Sequence, residues 1–267
     1  HWSQKSGEIG GYCVPGPADN TFFDSGSGFT PSNKTVSVDN ISYTHNITFS
    51  GSTISPTLTQ IGNQTLNIYG SSEWQAGMGI IAVTNIYYRH TNESKTIKSN
   101  GVITGGMMLY FEEESSISLL DDFQTDRQFE QQAGTWNTNN HKVTIGGFFY
   151  ASNGNKPRTI NLGSSTIILP NSVAVFKTDN LQTTINAGTS HIFFTTSNSA
   201  SNGMNTNPAQ TFYNVTFGGP LGSAHGGANY NQVEFKGNGI VNANNSFKNL
   251  LFTPTKTYTF EAGKTQT

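Results

Sequence analysis

Charge is the scarcest ingredient of this chain. Only 11% of its 267 residues are Asp, Glu, Lys or Arg, and 14 cationic side chains against 16 anionic ones leave a net charge of −2. No basic field exists that could neutralise a row of phosphates, so nucleic acid is not an expected partner. Cysteine is almost absent: Cys13 stands alone, which rules out an internal disulfide and a multi-cysteine zinc site. Long apolar runs are missing too. No stretch approaches the roughly 18 residues of a membrane-spanning helix, and residues 1–20 have neither the basic start nor the apolar run of a signal peptide. The chain opens in mid-phrase on HWSQKSGEIGGY. It reads as a piece of something longer, whose remaining domains are then expected as neighbours.

Polarity comes instead from Asn, Ser, Thr and Gly, which favour turns and hydrogen-bonded loops, while Thr also suits strands. Such polarity alone would also fit a disordered chain. The 18 Phe, 10 Tyr and 3 Trp supply more aromatic area than disorder accommodates, and the expectation is a folded domain.

Helical periodicity is not sustained anywhere. Residues 1–34 are rich in Gly, Pro, Ser and Asp and read as an N-terminal loop or cap with a short strand at Asn20 to Phe23. From Thr35 onward, short alternating runs recur between turn clusters, among them TVSVD, NITF, QTLNIYG, HKVTIGGFFY, STIILP and HIFFTT. This is strand period. One phrase occurs three times, as FYNVTF, YNQVEF and FKNLLF, starting at Phe212, Tyr230 and Phe247. Those spacings are too short for a helix-containing crossover in each unit and long enough for one turn of a wound strand.

The fold expected is therefore all-β, a right-handed parallel β-helix over 35–267 that continues beyond the last residue, at roughly 20 residues per coil and on the order of a dozen coils. A β-sandwich is the alternative, because antiparallel sheets share the alternation. Stacking would place Phe217, Phe235 and Phe252 one above another and give Asn214, Gln232 and Asn249 an amide ladder. The Asn46–Phe49 run echoes Asn214–Phe217. Gly70 to Gly105 looks like an insertion.

The opening run HWSQKSGEIGGYCVPGPADNTFFDSGSGFT resembles a signature of large cell-surface proteins exported by type IX secretion in gliding bacteria of the Bacteroidetes. The matching elements fall on His1, Trp2, Ser3, Ser6, Gly7, Val14, Pro15, Asp19, Phe23, Asp24 and Phe29. The later phrases QQAGTWNTNNHKVTI, RTINLGSSTIIL, NAGTSHIFFTT and SFKNLLF are similar to that family's coils. The resemblance implies a β-helical segment of a very long extracellular adhesin, including those of gliding motility, and no catalytic residues.

The residues themselves leave three functions open. An adhesin that binds polysaccharide or another surface needs exposed aromatic rings for sugars to stack on, and Trp74, Tyr87, Tyr88, Tyr110 and Trp136 are the candidates, though each also suits core packing. Tyr87 and Tyr88 are adjacent on a strand, so one of them faces outward. A polysaccharide lyase or glycoside hydrolase needs converging carboxylates. The acidic run with Glu113, Asp121, Asp122 and the neighbouring Arg127 is the candidate, although such a run also suits a solvated rim. A structural stalk or filament subunit needs neither.

No cofactor is expected. Calcium has no motif to hold it, and the six histidines, His1, His45, His90, His141, His191 and His225, form no ligand pair. Asn-x-Ser/Thr acceptors at Asn33, Asn40, Asn46, Asn63, Asn92, Asn214 and Asn244 are frequent in a chain this rich in Asn and Thr. Thr spacing is too irregular for an ice-binding face.

Overall fold

The computed structural model of the protein describes residues 2–81, 85–89, 91–109, 115–151, 155–196, 203–207 and 210–267. It is all-strand. Every pairing between its strands is parallel, and no helix occurs among the described residues. That excludes the sandwich and leaves a parallel β-helix.

As far as Thr183–Asn186, each coil climbs through three faces. Gly134–Asn137, Val143–Ile145 and Phe149–Tyr150 form one coil, and Arg158–Asn161, Thr166–Leu169 and Val175–Thr178 form the next, stacked directly on it. The first face is an eight-stranded sheet, the second is a three-stranded followed by an eight-stranded sheet, and the third is a sheet of eleven strands. About ten turns result, or roughly 50 Å at about 4.8 Å per step. That fits the order of a dozen coils expected from the sequence, with a coil length that varies along the chain. Residues paired in register on successive coils lie 26 apart at Thr21 and Ile47, 25 at Asn161 and Asn186, and only 18 at Asn214 and Gln232.

The interior is a set of side-chain columns. Phe123, Val143, Ile167, Ile192, Val215, Val233 and Leu250 follow one another in register on the second face. Beside them, Phe194, Phe217, Phe235 and Phe252 stack with ring centroids 5.1, 4.8 and 5.9 Å apart, as the repeated phrase requires. The third face carries Phe129, Phe149 and Phe176, stacked at 5.5 and 4.4 Å. Offset ring stacking adds about 0.5–1.5 kcal/mol per pair to the area each ring buries.

Corners are turned where the chain can adopt positive φ. Asn140, Gly163 and Gly188, at φ 66, 55 and 56°, sit one above another on successive coils. A Cβ on Gly188 would overlap the Gly163 carbonyl of the coil above it, so the column is tight as well as left-handed.

The described residues of the segment Gly70 to Gly105 build regular coils. They supply the strands Ser72–Glu73, Gly79–Ile81, Ile86–Tyr88, Ser94–Lys98 and Ile103–Thr104, all paired in the ordinary coil sequence. The Asn46–Phe49 echo also proves positional: Ile47–Phe49 lies on the first face, whereas Asn214–Phe217 pairs on the second.

The N-terminal segment folds onto the first coil. Trp2 bridges to Tyr12 and packs on Phe23 at 5.9 Å, Phe23 stacks on Phe49 at 4.4 Å, and Phe49 packs on Trp74 at 5.8 Å. The Ser6 hydroxyl donates to Asp24 Oδ1 at 2.7 Å and holds that carboxyl below its ordinary value. Trp2, Ser6, Phe23 and Asp24, separate elements of the opening signature, thus meet in one physical unit.

One column carries a cation. Lys95 pairs with Ile117, which pairs with Trp136, then Ile160, then Ile185. Lys95 is 1% exposed. Burial lowers its pKa from 10.5 to about 8, against the smaller opposing pull of Glu93. With the folded value below the unfolded one, the unfolded chain binds more protons between those two values, so stability rises with pH across that window. Lys95→Met should lack this gain. Urea unfolding at pH 7.5, 9 and 10 should show wild type gaining on the variant at each step, and parallel curves would contradict the burial argument.

Candidate functional site

The aromatic candidates divide by strand side. Trp74, Tyr88 and Trp136 are all 0% exposed, so they are core residues and not platforms for a ligand. Trp136 packs between Phe129 at 4.4 Å and Phe149 at 5.7 Å. Alternation showed that one of Tyr87 and Tyr88 faces out but could not say which. It is Tyr87, half-buried beneath the Arg89 guanidinium at 4.8 Å. Tyr110 lies outside the described residues.

The acidic candidates staple the coils. Asp121 Oδ1 accepts the Ser99 N–H at 2.7 Å, and its Oδ2 accepts the Asn100 N–H at 2.5 Å. Both oxygens therefore hold a corner of the preceding coil, where Asn100 has φ 47°. Asp122 Oδ1 accepts the Lys142 N–H of the following coil at 2.9 Å. Arg127 is exposed at the next corner, beyond the inward-facing Phe123–Thr125 strand. Asp121 and Asp122 thus stand at one end of that strand and Arg127 at the other. Glu113 lies outside the described residues. Among the described residues, no three His, Cys, Asp or Glu side chains gather to hold a metal ion.

The amide ladder exists in a different form from the one expected. Asn214, Gln232 and Asn249 are in register, yet it is Asn231 that donates to Asn214 Oδ1 at 3.1 Å, and Asn249 donates to the Asn231 carbonyl at 3.4 Å. These strands bend around a corner. Phe212 and Val215 are both buried, with Tyr213 and Asn214 between them on the outside, so alternation slips by one and the residue next to Gln232 takes its place.

A longer ladder runs down the first face. Asn137 donates to Ser118 Oγ at 3.0 Å, Asn161 to Asn137 Oδ1 at 2.6 Å, and Asn186 to Asn161 Oδ1 at 2.7 Å. The sequence reading missed it, although GTWN, RTIN and TTIN each end a strand in Asn. On the second face, His191 Nε2 meets Thr216 Oγ1 at 2.9 Å, and Thr216 donates to Glu234 at 3.3 Å. Thr216 is 4% exposed, too covered for its hydroxyl to meet a substrate. Burial holds the His191 pKa below its ordinary value.

The first face ends at Thr183–Asn186. Below it the chain runs directly into the seven-residue strands Thr211–Phe217, Asn229–Phe235 and Ser246–Phe252, which turn the corner in one piece and shorten the coil. This change leaves a ledge. Under it lies an open recess of about 500 Å³, floored by Ile185, Phe212 and Tyr230 and rimmed by Asn186, Tyr213, Asn229, Asn231 and Lys248.

The chain matches no protein-family model, no curated protein and no solved structure. Its class rests on its own geometry: a parallel β-solenoid of three faces, one of which stops early and opens a recess on the flank.

Proposed function

We propose that this chain is a non-enzymatic segment of an extracellular cell-surface adhesin, a rigid β-helical spacer whose flank binds polysaccharide or another surface. The observation that carries this reading is the use of the acidic residues. Asp121 and Asp122 spend carboxylate oxygens on backbone N–H groups of neighbouring coils, where a glycosidase would keep two carboxylates facing a shared sugar. The parallel ladder supports the mechanical half of the reading, because the third face pairs strands of successive coils from Ser42–Thr44 to Tyr258–Phe260 in one sheet. The resemblance of the opening signature to type IX-secreted gliding adhesins supports the assignment to the cell surface and to attachment or motility.

Incubating the purified segment with a panel of neutral and acidic polysaccharides tests this, following retention by affinity electrophoresis and new chain ends in the same samples. Retention without new ends is the expected result. New ends would overturn it in favour of a lyase or hydrolase. Neither retention nor cleavage would leave a stalk.

A further inference from the structure

We infer that the recess beneath the end of the first face is a glycan-binding site, and that it takes an acidic polysaccharide, with a sugar ring on Tyr213 and a uronate carboxylate at Lys248. The inference rests on the polysaccharide-binding reading above and assigns it a place and a ligand class.

Four features converge there. Tyr213 is 36% exposed at the rim, on the outward side of a strand whose neighbours Phe212 and Val215 anchor it in the core. It therefore offers an aromatic surface held by rigid backbone, which suits the apolar face of a pyranose.

The asparagine ladder of the first face ends at this rim. Each amide from Asn137 to Asn186 donates upward, so the side-chain Oδ1 of Asn186 is the acceptor end of a polarised chain, with no further rung beneath it among the described residues. A sugar hydroxyl is a donor of the right size for that position. Asn231 commits its side-chain N–H to Asn214 and leaves its side-chain Oδ1 on the rim, while Asn229 adds an exposed amide.

The third feature is charge. Among the described residues, Lys248 is the one ionisable rim residue besides the tyrosines, and no carboxylate lines the recess. In a chain with so few charges, an unopposed ammonium favours an anionic ligand.

The fourth is shape. The recess is open to solvent and bounded by a ledge on one side, so a polysaccharide can reach it from the flank of the rod. A peptide adding as a strand beside Thr183–Asn186 would compete for the same edge. It has no use for the Asn186 acceptor, Tyr213 and Lys248 together, whereas a uronate chain uses all three.

The test is affinity electrophoresis of the whole 267-residue chain through gels containing polygalacturonate or dextran, with Tyr213→Ala, Tyr213→Phe and Lys248→Gln beside wild type and circular dichroism to confirm folding. Polygalacturonate should retard wild type more than dextran does. Tyr213→Ala should weaken that retardation about tenfold and Tyr213→Phe should keep most of it. Lys248→Gln should weaken it about threefold and remove most of its salt dependence. Equal retardation of wild type and folded variants would overturn the site while leaving the polysaccharide-binding reading standing. Equal retardation by dextran would overturn the acidic class. No retardation by either glycan would overturn the inference and deprive the binding half of the proposed function of its support.

Discussion

Phe149→Ala should lower the stability of the rod by about 3–5 kcal/mol, the range for removing a fully buried phenylalanine from a packed interior. Phe149 is 0% exposed and lies between Phe129 and Phe176 at 5.5 and 4.4 Å, with Trp136 at 5.7 Å on its flank. The cavity would be lined on three sides by rings fixed to separate strands, so collapse is resisted. In a solenoid each coil rests on its neighbours, and a defect in mid-column weakens two interfaces together. Phe247→Ala is the control. Phe247 is half-buried with Tyr230 stacked on it at 5.3 Å, and its loss should cost about 1 kcal/mol. Urea unfolding followed by tryptophan fluorescence measures both. Equal losses would mean that the columns are not the source of stability.

Gly226→Ala should be nearly as damaging although it adds a single methyl group. Gly226 has φ 104°, a conformation that L side chains rarely adopt, and a Cβ there would overlap the Thr206 carbonyl oxygen of the neighbouring coil. Backbone strain of about 1–3 kcal/mol adds to the displacement of a neighbour that is main chain and cannot rotate away. A total of about 3 kcal/mol or more is expected. Gly28→Ala, at φ 71° with nothing near the position of a Cβ, carries the strain without the overlap and should lose about 1–2 kcal/mol. If the two variants melted together, close stacking of corners would not be a constraint of this fold.

How much of this was legible in the sequence depends on where a residue sits in the coil. The stack Phe217, Phe235, Phe252 was readable because three copies of one phrase share a spacing, and parallel in-register pairing puts like on like. STIILP and HIFFTT were readable as strands because apolar residues alternate along each of them. Which side of a strand faces the core was harder. Trp136 gave no sign of its burial, since parity along a strand of four residues is set by the corner before it, and Trp74 lies just past the two-residue strand Ser72–Glu73. Gln232 lost its place in the ladder to Asn231 for the same reason: a strand that bends around a corner shows two successive residues to the outside. The recess was illegible altogether. It arises because the first face stops at Asn186 while the other two continue, and its rim draws on residues from Ile185 to Lys248 that meet only after four coils have been stacked.

Hydrogen–deuterium exchange of the segment with and without polygalacturonate tests the account most directly, because it reports where a glycan lies without presupposing which residues matter. The account predicts slowed exchange at Ile185 to Gly188, Thr211 to Tyr213 and Asn229 to Asn231, with the corner from Asp121 to Arg127 unchanged. Protection confined to Asp121 to Arg127, with the recess unaffected, would contradict it and return attention to the carboxylates.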